Sequence, residues 1–362
     1  MSSVRKPAAH APASSGALRH VLLHLVTPLV MCLGMGLAYM SAFVSPHPHE
    51  VPVAVVGSGP QTQVLAQTVK DQAGDALDVR TVADRGEARE LLHDQELSGA
   101  FVPDADRPEL LIASAASDMS AIAVQKVFTP LAAEQGAPLT ITDVAAPVDD
   151  DPTGQGLFFL LVAVSIGGYA SVAVVGGAGG ALPMRLRALL AAGVSLVVSL
   201  IGTALAGPVF HLAHHSLLQV WGLSWLYAAG ILAIGTGLHT FLKRWTTLAM
   251  MVLFVMLNFT SSGGLFLPHL QNGFFGSLHA FWNGAGFVEG LRSLLYFDSR
   301  GLSGHIWTLV AWLAAGALAL VAAALHERRL HRAPAAPAAD RAATDPEEKA
   351  DTEEEMEESV AV

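Results

Sequence analysis

Long apolar stretches separated by short polar breaks dominate this chain. Runs of about 20 apolar residues, enough to cross roughly 30 Å of hydrocarbon, occupy 21–44, 157–178, 188–209, 221–242, 245–267 and 306–325. They predict six membrane helices. Between the first and second runs the pattern changes: VPVAVV, LDVRTV, LSGAFVP, ELLIASAA and LTITDVAAP read as strands, and 61–71, 84–95 and 118–134 as helices, the last with Asp118 as N-cap. The expected fold is an α-helical polytopic membrane protein with six transmembrane helices, plus a small α/β domain inserted after the first helix at 45–155.

Charge orients this arrangement. Arg5, Lys6 and Arg19 precede the first run, Arg185 and Arg187 follow the second, Lys243 and Arg244 follow the fourth, and Arg328, Arg329 and Arg332 follow the sixth. Every second loop is basic, so both termini are expected in the cytoplasm of a plasma-membrane protein, with the α/β domain outside. The first run is too long for a signal-peptide core and lacks an A-x-A site, so it reads as an uncleaved anchor. A composition of 52% hydrophobic and 14% charged residues agrees. The net charge of −11 is a tail property: residues 340–362 carry −8 and the other 339 carry −3. Residues 1–20 and 327–362 read as disordered cytoplasmic tails flanking the membrane domain, 156–326. No nucleic-acid partner is expected; lipid is the surrounding medium. The single cysteine, Cys32, falls within a helix and reads as packing, which leaves no disulfide and no cysteine-based metal site.

Candidate chemistry is sparse. Gly57-Ser58-Gly59-Pro60 after the first strand matches neither G-x-G-x-x-G nor G-x-x-x-x-G-K-[ST], and reads as a tight turn. With no G-x-S-x-G, no H-E-x-x-H and no intramembrane carboxylate pair, the chain is not expected to be an enzyme, and no cofactor is assigned. Gly167, Gly168, Gly176 and Gly180 form a candidate helix-packing seam, within the chain or with a second copy, or else a hinge. His47, His49, His211, His214, His215, His269, His279 and His305 collect toward the outer face. On a helix, His211 and His215 could share Zn or Cu; a pH-responsive cluster and ordinary interfacial histidines are the other readings. No ligand motif accompanies them, so no metal site is assigned. His239 reads as an interfacial, hydrogen-bonded residue near the inner end of the fourth run. No Asp, Glu, Lys or Arg lies well inside a span, which disfavours a classical proton antiporter.

The stretch 263–300, GGLFLPHLQNGFFGSLHAFWNGAGFVEGLRSLLYFDSR, suits neither a plain membrane helix nor a solvated loop. Non-spanning backbone at membrane depth needs protein or a water-lined cavity to satisfy it, so an outward re-entrant segment is expected over 268–304. Glu289 and Arg292, at i and i+3, can pair on a helix.

The order of elements resembles the membrane subunits of type-2 ABC transporters with an extracytoplasmic domain between the first two helices, and more narrowly the phage infection protein (YhgE/Pip) family. EARELLHDQELSGAFVPDAD and NFTSSGGLFLPHLQNGFFGSLHAFWNGAGFVEGLRSLLYF carry the resemblance. It implies a dimer, homomeric or with a related permease, and export of a hydrophobic or amphipathic compound or envelope component. It places Leu267, Pro268, Phe287, Glu289 and Arg292 at an outer gate, and Gly263 and Gly264, at the start of the broken segment, are added here as candidate gate residues. One element departs from the family: ALPMRLR, at 181–187, replaces the amphipathic coupling segment that engages the ATPase. The chain has no Walker motif, so an ATP-binding subunit would be a separate polypeptide. The competing expectation is a non-transporting envelope protein whose outer domain binds a ligand, a protein or a phage.

Overall fold

The computed structural model describes residues 15–44, 48–134 and 136–332. The two expected tails beyond Ser15 and Arg332, and His47, lie outside these residues. Helix α1, Ser15–Phe43, leads to a five-stranded sheet of β1 (Val51–Val56), β2 (Leu77–Val82), β3 (Gly99–Val102), β4 (Glu109–Ile112) and β5 (Thr140–Asp143), in the order β2-β1-β3-β4-β5. Strand β1 pairs parallel to β2 and β3, β3 antiparallel to β4, and β4 parallel to β5.

Both faces of the sheet are covered, so its central strands are apolar throughout rather than alternating. Val51, Val53, Val55, Phe101 and Leu110 face α2 (Pro60–Ala73) and α4 (Asp118–Glu134), while Ala54, Val56, Ala100 and Leu111 face α3 (Arg85–His93). Asp84 caps α3, accepting from the N–H groups of Gly86 and Glu87. The cap of α4 is Ser117, whose Oγ accepts from Ser120 N–H at 3.2 Å, rather than the expected Asp118, which is already inside the helix.

The helical part contains α5 (Gly156–Gly176), α6 (Met184–Ala204), α7 (Leu217–Leu242), α8 (Thr246–Met251), α9 (Leu257–Ser261), α10 (Gly273–His279), α11 (Asn283–Tyr296) and α12 (Leu302–Arg332). Among the described residues, four continuous helical stretches are long and apolar enough to cross a membrane: Gly156–Gly176, Met184–Val209, Leu217–Ser261 and Leu302–Leu330. The third, of 45 residues, is folded back on itself at Lys243, whose φ is +45°. Asn258 Nδ2 donates to the Tyr227 hydroxyl, and Gly235 faces Met250, pairs that are nearly symmetric about that residue. Its return arm, α8 and α9 joined by a π turn at Val252–Met256, ends at Ser261, short of the predicted 267. In α1 the described apolar stretch is Pro28–Phe43.

Helix α7 is the centre of the bundle and touches α5, α6, α11 and α12. Residues 227–237 are buried on every side, as a core helix must be when no face meets solvent. Small residues permit the closest approaches: Gly316 of α12 faces Ala233, and Gly237 faces the Ala319 backbone. Outward faces of α1, α6 and α12 remain apolar and exposed, with Leu33, Leu189 and Leu318 among them. Cys32 is exposed on α1 and packs no core, contrary to expectation.

Candidate functional site

The break after α9 organises the site. Thr260 Oγ1, Ser261 Oγ and Ser262 Oγ donate back to the carbonyls of Met256, Leu257 and Phe259 at 2.7, 2.6 and 3.1 Å, competing with helix continuation. Gly263 then takes φ +74°, a conformation that side chains strain against, and the helix stops.

A terminating helix leaves its last carbonyls without partners. Two of them, with the Gly263 carbonyl just beyond the helix, are met by three side chains from three segments. Gln271 Nε2 donates to Thr260 O at 2.7 Å, His279 Nδ1 lies 3.0 Å from Ser261 O, and Arg292 Nη2 donates to Gly263 O at 3.0 Å. The last two bring cationic or potentially cationic groups to the negative end of a helix dipole. Arg292 also pairs with Glu289 one turn earlier on α11; the two residues are 3% and 6% exposed. His279 Nε2 stands 3.9 Å from Glu289 Oε1. A Cβ on Gly263 would approach Glu289 Oε1 and His279 Cε1 to 2.6 Å, so no larger residue fits. A narrow cleft lined by Ser117, Asp118, Gln155, Gly264, Leu265 and Arg292 reaches Arg292 from the α/β domain.

Of the predicted gate residues, the structure brings Gly263, Glu289 and Arg292 together. Gly264 packs on Phe158, where a Cβ would come within 2.8 Å. Leu267 and Pro268 lie apart, at the entry to a short turn, Pro268–Leu270, that runs to the α/β domain. Phe287 is fully buried in the core and stacked on Tyr227 at 4.6 Å. Of the seam glycines, Gly167 faces Val198, Gly168 faces Ile231 and Gly176 faces His239, all contacts within the chain. Gly180 belongs to the turn after α5, because four glycines in five positions at 176–180 end the helix. His211 and His215 share no helix face: 211–216 is irregular, with His211 and Ser216 at positive φ, and the His211 ring stacks on His214. Among the described residues no group of three or more His, Cys, Asp or Glu is placed to hold a metal ion.

Further polar residues surround the site, some expected, as with the hydrogen-bonded His239, and some, among them Ser120, Tyr227, Asn283 and Glu327, not singled out in the sequence. Ser165, Tyr227 and Asn258 form a buried hydrogen-bonded ladder behind the site. Asn283, wholly buried at the start of α11, has neither amide atom hydrogen-bonded. His239 Nδ1 lies 3.1 Å from Thr246 Oγ1. At the far end of the bundle, Arg187 is buried against Glu327. The segment after the break also grips the α/β domain on both faces: Leu270 and Phe266 join the α2/α4 side, Phe297 and Tyr296 the α3 side. His269 Nε2 shares a hydrogen bond of 2.9 Å with Ser120 Oγ, and burial, aided by nearby His279, pushes its pKa down to about 4. Arg300 meets Asp94 at 2.7 Å.

No family model, curated protein or solved structure matches the chain.

Proposed function

We propose that this chain is the membrane component of an exporter of the type-2 ABC permease or phage infection protein kind, moving a hydrophobic or amphipathic compound or an envelope component outward. The observation that carries this reading is the break itself: the α9 end is capped by three side chains from beyond it, around a buried Glu289–Arg292 pair. Irregular backbone among apolar helices is tolerated where protein or a cavity satisfies it, the situation of a pathway or gate. In this reading α10 and α11 are the re-entrant pair and Gly263 and Gly264 the pivot.

Six spans, cytoplasmic termini in the plasma membrane and an outer α/β domain belong to the same proposal. The reversal at Lys243 supports the fourth and fifth spans, and the exposed Arg185, Lys243, Arg244, Arg328 and Arg329 lie at helix ends away from the domain. Two copies, or this chain and a related permease, would form the pathway, with a separate ATP-binding subunit as partner.

The test compares cells producing the native chain with cells producing Gly264→Leu, by mass spectrometry of amphipathic compounds in the medium. The native chain enriches at least one; the variant inserts equally and loses the enrichment, because Phe158 blocks the new side chain. Equal enrichment sinks the gate.

A second reading, an envelope protein whose domain binds a ligand, protein or phage without transport, is favoured by a cleft of about 480 Å³ lined by Val56, Gln61, Thr62, Leu65, Pro103, Asp104 and Ala105. It lies at the carboxyl ends of β1 and β3, where the winding direction switches and α/β sheets commonly take ligands.

A further inference from the structure

The capped break brings both ring nitrogens of His279 to oxygen atoms, one a carbonyl and the other a carboxylate. His279 Nδ1 faces the Ser261 carbonyl, an oxygen that only accepts, so this nitrogen carries the hydrogen. In a neutral ring Nε2 is then a bare acceptor, and it stands 3.9 Å from Glu289 Oε1, a second acceptor. Two acceptors face one another in a site where the Glu289 side chain is 8% exposed and that of His279 18%. One proton on Nε2 turns this opposition into an attraction between opposite charges, and a closing of about 1 Å would make it a charge-assisted hydrogen bond to the carboxylate that Arg292 also holds.

The charged and titratable groups facing His279 come from three elements besides its own. Glu289 and Arg292 project from α11, His269 from the turn before α10, and His305 from α12. Arg292 balances the Glu289 charge from one side. A second cation at His279 is offset by the carbonyl end of α9, toward which Nδ1 already points. His269, held neutral by burial, adds no competing charge near neutral pH.

We infer that the proton is a ligand of the gate: its uptake by His279 Nε2, between Ser261 and Glu289, latches the break shut, and its release frees the Gly263 pivot. This rests on the gate reading above and adds the ion that controls it. Acid therefore closes the segment and mild alkali loosens it. No proton-carrying residue inside a span is required, because the pair lies at the domain end of the bundle.

The test uses the full chain in lipid nanodiscs with Cys32→Ser and Ser262→Cys. Ser262 is wholly buried, so its labelling by a membrane-impermeant maleimide reports opening. Rates from pH 5 to 8 are normalised to an exposed reference, Val64→Cys, in the same background, which removes the intrinsic pH dependence of thiol chemistry. The normalised rate should rise at least about tenfold from pH 5 to 8, the weight of one hydrogen bond to a charged group. His279→Gln should label rapidly at both pH values, His279→Lys slowly at both, and His305→Gln should keep the native profile. A flat native profile, or an unchanged profile in His279→Gln, overturns the proton inference while leaving a labelled gate standing. If Ser262→Cys is never labelled in any variant, the segment does not open, and the gate falls with it.

Discussion

Arg292 ties a buried carboxylate to a helix end, and its removal tests both attachments. Arg292→Ala strands Glu289 at 6% exposure and leaves the Gly263 carbonyl unpaired. Breaking one side of a buried ion pair costs about 3–5 kcal/mol, whereas replacing both partners by apolar groups is often neutral. Thermal unfolding in detergent should show a large loss for Arg292→Ala and substantial recovery for Glu289→Met/Arg292→Leu; equal losses would mean that the pair is peripheral to stability. The Glu289–Arg292 pairing was legible, because a three-residue spacing on a helix needs no tertiary information. Gln271 and His279 were not legible as partners of the same helix end. Their acceptors, Thr260 and Ser261, lie 11 and 18 residues away across an irregular turn.

The turn Pro268–Leu270 places His269 against Ser120 of α4. Burial disfavours the charged ring, so the folded chain binds fewer protons here than the unfolded one between the ordinary value of 6.5 and about 4. The stability contributed by neutral His269 is complete above pH 6.5, declines as pH falls, and is gone below about pH 4. At pH 5 the loss is about 2 kcal/mol. Unfolding midpoints at pH 7 and pH 5 should therefore differ more in the native chain than in His269→Gln; identical differences would refute the assignment. Elements defined by local pattern were readable: the apolar runs, five strands and three helices of the α/β domain. Helix ends were less so. The hydroxyls of residues 260–262 ended α9 at Ser261, and glycines ended α5 at Gly176, where hydropathy alone continued both. The Ser165–Tyr227–Asn258 ladder was invisible, since its members lie 62 and 31 residues apart.

Across the whole molecule, the α/β domain is clamped by Leu270 on one face of its sheet and Phe297 on the other. The energetic weight falls on these apolar contacts. Phe297→Ala, at a fully buried site, should cost about 3–5 kcal/mol and open the α3 side of the domain to limited trypsin digestion. Asp94→Ala removes a pair in which both side chains are about two-fifths exposed, and should cost no more than about 1 kcal/mol. Equal protease sensitivity in the two variants would contradict this division. Neither clamp could be read from the sequence, because a buried Leu or Phe beside a membrane run looks the same whether it meets lipid, helix or sheet.

The clamp also sets an order in time. The last strand of the sheet ends at Asp143, but Leu270 and Phe297 leave the ribosome more than a hundred residues later. At about 5–20 residues per second, the sheet waits roughly 6–30 s with an apolar notch on each face. The domain reaches its final form when the chain after the break arrives to close it.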